Sequence, residues 1–284
     1  MTYAALTTAR LGLRTAALVG VDPLACEARE LDLLREAGAE LQLVPLAHGP
    51  RFDNVETLTG RIQTCLDPGD PVPTSALPEG WRSVPIWLIV PVAAETRDDW
   101  AAFVPDQAHL GLGWQGLLRT LVAGEQVRRI APSRTALVGR ADLVNVSRND
   151  LGPDPDVSAL IGLLRPGARL ILTDGRTGGT VFTAGEPGGP SAAEHPYRSI
   201  EAAEIDPTGA GDMFMAAMVG ALWGSSGDSR TSDPESDNEF DNESGAIEAA
   251  IQWAAATAAL GVERAGLDAV PTRAAVVDRL AAID

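Results

Sequence analysis

The sequence predicts one α/β domain over residues 1–284: a mostly parallel sheet flanked by helices, with a small hairpin standing off it. Three observations predict it. The length, 284 residues, suits one α/β unit better than one small module or two ordinary domains. Short apolar, β-branched runs alternate with helical patterns from residue 15 onward, the order that builds a parallel sheet. One stretch, residues 51–66, breaks that alternation with Val55, Leu58, Ile62 and Cys65 set among Thr, Arg and Gln. A polar hairpin leaving a parallel sheet often makes a lid, and 51–66 is expected to be one.

The elements follow in order. Thr15–Val21 is a buried strand ended by Asp22-Pro23. Pro23–Gly38 spaces Leu24, Leu31 and Leu34 as a helix does, with Pro at its start and Gly at its end. Leu41–Leu46 is the next strand, and Pro68–Pro85 is loop. Val84–Val90 is a strong buried strand; Leu110, Val127–Ile130 and Ala141–Val146 continue the α/β alternation. Arg169–Thr173 is a strand with Thr180–Thr183 as its hairpin partner. Asp212–Trp223 is apolar on nearly every face, which requires a buried helix. Ala246–Gly261 and Thr272–Ala282 are the closing helices. Between them and the buried helix, residues 225–244 hold seven acids and one Arg, too little apolar surface to order, so a disordered acidic insertion is expected.

Composition excludes whole classes of function. Acidic residues number 39 and basic residues 22, for a net charge of −17, which opposes a general nucleic-acid or anionic-membrane binder. All the basic residues are Arg, so there is no P-loop, protein-kinase or Schiff-base lysine. Cys26 and Cys65, with His48, His109 and His195, fall in no metal-ligand spacing. The longest apolar run, Pro85–Ala94, is too short to cross a bilayer, and the first residues carry no basic signal region. A cytoplasmic location is the expectation.

The segment with chemistry in it is Asp206-Pro207-Thr208-Gly209-Ala210-Gly211-Asp212. A glycine-rich turn that runs straight into a helix points unpaired amides out of a positively polarised helix end, which suits an anion. Gly209 and Gly211 allow the positive φ and close approach that a phosphate cradle needs. Asp212, in the first turn, is placed to take a proton from a hydroxyl while those amides hold charge developing on a phosphoryl group. The plainer alternative is a tight turn whose Asp212 caps the helix.

The heptapeptide resembles the C-terminal signature of the ribokinase-like (PfkB) carbohydrate kinase family, Asp-Thr-x-Gly-Ala-Gly-Asp, with Pro207 where Thr is common. The resemblance implies a three-layer α/β/α fold with a β lid. It also implies an ATP-dependent transfer, with Mg²⁺, to a hydroxyl of a sugar, polyol or nucleoside. Asp212 would be the base and would meet the acceptor; Gly209, Ala210 and Gly211 would be the anion hole, with Thr208 beside the nucleotide. Thr173, Gly175 and Gly178 resemble the family's nucleotide-contacting Thr-x-Gly-x-x-Gly. Ser147 and Asp150 fall where a strand ends near metal and phosphates, Asp150 standing where the family usually has Glu. Ala254–Arg273 is similar to the family's closing helix and loop. Val90–Glu95 and Gln115–Arg119 look like the inositol-kinase-like branch. There Arg119 would meet a phosphate or polyol hydroxyl, unless it is a surface helix arginine; the sequence leaves both open.

The likeness departs at the start. The family opens with a further strand, a sugar-contacting Asp and a Gly-Gly pair, whereas Met1–Leu6 resembles the helix just after that pair. A start site assigned too far downstream is the expectation, and a truncated, inactive sugar or nucleotide binder is the alternative. Gly111-Leu112-Gly113-Trp114-Gln115-Gly116 also matches a dinucleotide fingerprint, but no acid follows at the end of the next strand, so an NAD(P) oxidoreductase is not expected. A homodimer formed through the lid is expected only by analogy.

Overall fold

In a computed structural model, which describes residues 2–57, 60–93, 95–152, 154–186, 193–224 and 239–283, the chain opens with α1 (Thr2–Arg10) and β1 (Ala16–Val21). Next come α2 (Arg29–Glu36) and β2 (Glu40–Pro45), and β2 lies parallel to β1, Ala16 opposite Glu40 and Val21 opposite Pro45. The helix expected over 23–38 is shorter. Asp22 takes the Leu24 and Ala25 amides at 3.0 and 2.8 Å, tightening its first turn into a 3₁₀ turn at Ala25–Glu27.

β3 (Arg51–Thr57) and β4 (Gly60–Asp67) form the expected antiparallel hairpin, a two-stranded sheet of its own. It pairs further with a later segment, through Gly124 N–H to Cys65 O at 2.7 Å and Val127 N–H to Gln63 O at 2.9 Å.

The main sheet has six strands in the order β12-β11-β10-β9-β6-β5. They are β5 (Ile86–Ile89), β6 (His109–Gly113), β9 (Leu143–Ser147), β10 (Arg169–Thr173), β11 (Gly179–Thr183) and β12 (Ala193–Tyr197). β5, β6, β9 and β10 run parallel, while β11 and β12 are added antiparallel. Between β6 and β9 lie the short strands β7 (Arg119–Thr120) and β8 (Arg128–Arg129) and the helix α3 (Ala136–Arg140). Val127–Ile130, expected as part of the α/β alternation, is only the β8 side of a two-residue ribbon paired with β7. β12 was not expected: it is an edge strand containing Pro196, with polar residues on both sides.

Strand alternation divides the core into two layers. Leu110, Leu112, Val144, Val146, Leu170 and Leu172 face one way, against α3 and α5 (Val157–Gly162), which follows α4 (Arg148–Leu151). Leu143, Ile171 and Val181 face the other, against α6 (Ala210–Trp223), α7 (Glu239–Gly261) and α8 (Arg273–Ala281). The result is three layers, helices on both sides of a mostly parallel sheet. In α6 every residue from Met213 to Val219 is buried, because sheet, α1 and α7 enclose it.

The glycines of the apparent dinucleotide fingerprint have a packing role. Gly111 sits where a Cβ would come within 3.1 Å of Val219 on α6, and Gly116 lies against the Pro91 carbonyl. β6 therefore shows leucines to one layer and glycines to the layer where α6 comes close. Residues 225–238 of the acidic insertion lie outside the described residues. The expected boundary at 244 is too late, because α7 already begins at Glu239.

Candidate active site

Parallel register puts the carboxyl ends of β9 and β10 side by side, with Ser147 opposite Thr173. That edge is where open α/β sheets bind ligands. Ser147 caps α4, its hydroxyl accepting from Asn149 N–H at 3.2 Å. Within α4, both Asp150 oxygens accept from Gln115 Nε2 at 3.2 Å, and Arg119 Nη2 lies 3.6 Å away. The Arg119 and Asp150 side chains are only 13% and 12% exposed. Arg119 is thus in a strand and largely buried, not on a surface helix. Burial lowers its pKa from the ordinary value, and the neighbouring Asp150 charge opposes that fall.

Beyond β10, Asp174–Gly178 forms a closed turn, with Asp174 N–H donating to Gly178 O at 2.8 Å. Gly175 and Gly178 have φ of +53° and +105°, as such a turn requires. Arg148 Nε lies 3.5 Å from Asp174 Oδ2 and ties the two strand ends together. Arg176 holds Glu204 through two bonds at 3.1 and 3.0 Å, and the Ser199 hydroxyl donates to the Arg176 carbonyl. The turn is thereby fastened to the segment that leads to Asp206.

At that segment's end the Asp206 carboxylate accepts from Thr208 N–H at 2.9 Å and Gly266 N–H at 3.4 Å. Gly209 is the N-cap of α6 in the left-handed conformation, φ +80°, and as a glycine it has no side chain with which to cap the helix. Asp212 is not the N-cap residue; it lies inside the first turn and is half-buried. A helical bond runs from Met213 N–H to Gly209 O at 2.8 Å, and the first amides of a helix point outward ahead of such a bond. Ala210 N–H turns back to Pro207 O at 3.2 Å, while Gly211 N–H has no protein acceptor among the described residues.

Two neighbours of this turn were not singled out from sequence. The Tyr3 ring packs on Gly209, and burial, then the Asp206, Asp212 and Glu30 charges, raise its phenol pKa. Asn145 Nδ2 donates to Gly211 O at 3.1 Å from inside β9. A single polar residue within the apolar run Leu143–Val146 was a visible signal for Asn145; nothing local marks Tyr3.

The structure brings the predicted residues together in pairs and links the start of α6 to β9 through Asn145 and Gly211. Ser147 and Thr173 are cross-strand partners, Arg119 meets Asp150, and the turn at 174–178 is pinned toward the start of α6. A groove of about 1070 Å³ lined by residues 198–203 with Tyr197, Ile251, Glu263 and Arg279 among others includes none of them.

For a divalent cation, the described residues hold no cluster of three His, Cys, Asp or Glu able to form a protein cage. Mg²⁺ does not need one. It is commonly bound by one or two carboxylates plus substrate phosphates and water, and a lone Asp150 at this edge fits that mode.

The layer order and sheet define the class of fold, the three-layer α/β/α of the ribokinase-family kinases. Three solved structures share it at a TM-score of 0.71 each. A pyrophosphate-dependent kinase in the ribokinase family, complexed with a pyrophosphate analog and myo-inositol, is 17% identical; the match covers 98% of this chain and 90% of that one. A fructokinase with bound ATP from Xylella fastidiosa is 17% identical, over 99% of this chain and 89% of that one. Ribokinase from Giardia lamblia is 16% identical, over 100% and 88%. No family model matches the chain, and no curated protein sequence matches it. Among the described residues no helix is long and apolar enough to cross a membrane.

Proposed function

We propose that the chain is a ribokinase-family phosphotransferase that moves a terminal phosphoryl group from ATP to a hydroxyl of a sugar or polyol. The observation that supports this best is Asp212 in the first turn of α6, behind a left-handed Gly209 and next to Gly211, whose carbonyl Asn145 of β9 reaches. The solved structures of the same fold include one complexed with myo-inositol and a fructokinase with ATP bound.

In this mechanism Asp212 takes the proton of the acceptor hydroxyl as its oxygen attacks the γ-phosphorus. The bond to the bridging oxygen breaks, and ADP leaves. A positioned base of this kind supplies about 10²–10⁴ in rate. The turn at Gly209–Gly211 steadies charge on the transferring group, each well-aimed donor contributing about 3–4 kcal/mol. The turn from Thr173 to Gly178 holds the donor, with Ser147 and Thr208 beside it. Arg119 orients acceptor or phosphate through its planar fork. Mg²⁺, held by Asp150 and the donor phosphates, would neutralise phosphate charge.

The test is a donor and acceptor screen. ATP and pyrophosphate are each offered with inositols, pentoses, hexoses and nucleosides, and phosphorylated product is measured in wild type and in Asp212→Asn. Product in wild type that the variant fails to make supports the reading. Donor binding without product for every acceptor favours the inactive binder instead.

A further inference from the structure

We propose that Asn145 and Tyr3 are positioning residues that set the shape of the anion hole, each holding one of its two glycines from a different element. The inference rests on the kinase reading of the Gly209–Gly211 turn.

A hole built on glycine has a problem of its own. Glycine populates both signs of φ almost equally, so a turn with two of them has little stiffness. Donors act on a transition state only if they are already aimed before the charge develops. Something outside the turn must supply the rigidity, and each glycine has one such neighbour.

Gly211 is held from the sheet. Asn145, at 8% exposure in the middle of β9, donates from Nδ2 to Gly211 O at 3.1 Å. The same nitrogen lies 3.3 Å from where a Cβ on Gly211 would stand. The opposite amide orientation would set two oxygens against each other, so the Gly211 carbonyl fixes which way the side chain points. Its Oδ1 is then left buried without a partner. The neighbours Leu143, Val144 and Val146 are apolar and buried. A half-satisfied amide in such a strand costs stability that a leucine would not. What the amide provides in exchange is a fixed first turn of α6.

Gly209 is held from α1. A Cβ there would fall among the ring carbons of Tyr3, 2.6 Å from Cδ2, so only a glycine fits beneath the ring. Tyr3 is itself anchored, its carbonyl accepting from Thr7 Oγ1 at 2.7 Å. The ring blocks the turn from relaxing toward α1, while Asn145 draws the next residues toward the sheet. Both act through the backbone of the hole and neither needs to touch a ligand.

The test compares Asn145→Leu, Tyr3→Leu and Tyr3→Phe with wild type and Asp212→Asn, measuring kcat, acceptor KM and the melting midpoint. Asn145→Leu and Tyr3→Leu are expected to lower kcat about 10–10²-fold, since small misplacement at a reacting centre has that effect. Acceptor KM should stay within about threefold, as expected when only transition-state interactions are lost. Asn145→Leu should melt no lower than wild type, and Tyr3→Phe, which keeps the ring, should recover most of kcat. Unchanged kcat in both leucine variants overturns the proposal, as does equal loss in Tyr3→Phe and Tyr3→Leu, or a kcat loss in Asn145→Leu that tracks a lowered midpoint. If wild type makes no product at all, the kinase reading fails separately. Calorimetric binding of inorganic pyrophosphate then decides: binding about tenfold weaker in the leucine variants upholds the positioning role. Equal binding by all three proteins, or none by wild type, overturns it.

Discussion

The Thr173–Gly178 turn holds two glycines with positive φ, and the structure gives them different reasons to be glycine. At Gly175, φ +53°, a Cβ would meet nothing within 4 Å. Gly175→Ala therefore carries only the left-handed penalty, about 1–2 kcal/mol. At Gly178, φ +105°, a Cβ would run into backbone: the Tyr197 carbonyl, Arg198 Cα at 2.8 Å and Ser199 N at 2.8 Å. Gly178→Ala then adds an overpacking cost of about 1–3 kcal/mol to a backbone cost of about 1–3 kcal/mol. Central values are about 4 kcal/mol against about 1.5 kcal/mol, and the unfolded-state gain from Gly→Ala is common to both and cancels. A gap of about 2.5 kcal/mol corresponds to roughly 5–10 °C in melting midpoint for a chain of this size. Thermal melts of the two variants, paired with donor titrations, check it. Gly178→Ala should melt well below Gly175→Ala and also raise donor KM, because moving the turn off residues 197–199 disturbs the Ser199 and Glu204 attachments of Arg176. Gly175→Ala should raise donor KM with little loss of stability. Equal midpoints, or a lower one for Gly175→Ala, would refute the assignment of Gly178 to close backbone packing.

Three further outcomes are expected. Asp212→Asn should lower kcat by about 10²–10⁴ while leaving donor affinity within a few-fold; turnover comparable to wild type in a product assay would remove Asp212 from the base role. Asp150→Asn leaves Arg119 largely buried without its anion. It should cost about 1–3 kcal/mol, less than the about 3–5 kcal/mol of a fully buried pair because both side chains keep some exposure, and should raise the Mg²⁺ concentration for half-maximal rate. An unchanged melt and Mg²⁺ titration would contradict it. At Asp98, burial pushes the carboxyl pKa up but is outweighed by the Leu137 and Ala136 amides and the Thr135 hydroxyl, so the pKa is lowered overall. Its contribution is then present above the usual carboxylate range and lost as pH falls below about 4. Denaturant melts against pH should show Asp98→Asn with a shallower acid loss than wild type; identical slopes would exclude it.

What could be read from sequence is what local chemistry decides. β5, β9 and β10 are apolar runs whose burial follows from composition, and the start of α6 is announced by glycines ahead of a helix with no polar face. The hairpin of β3 and β4 was readable because its residues are too polar for the sheet and too β-branched for a helix. What could not be read depends on partners far along the chain. Arg119 and Asp150 are 31 positions apart, and nothing near either selects a buried pair over two solvated charges. β12 is an edge strand that needs one paired side only, so Pro196 and its polar neighbours erase the usual alternation.

Gly111 and Gly113 mark the boundary between the two kinds of information. Their spacing imitates a nucleotide motif, yet a Cβ at Gly111 would crowd Val219 of α6 and Leu88, and one at Gly113 would crowd Val90. Spacing alone cannot distinguish a glycine that admits a ligand from one that admits a helix; only the atoms where its side chain would stand can. By that criterion Gly209 and Gly211 differ from the glycines of β6, because they lie at the open start of a helix, against a tyrosine ring and a half-satisfied asparagine. Rules broken at one place, a left-handed glycine as the helix cap and a polar residue in an apolar strand, are the pattern expected of a site shaped for something other than stability. That convergence supports the proposal that the chemistry lies at the start of α6 and not at the fingerprint in β6.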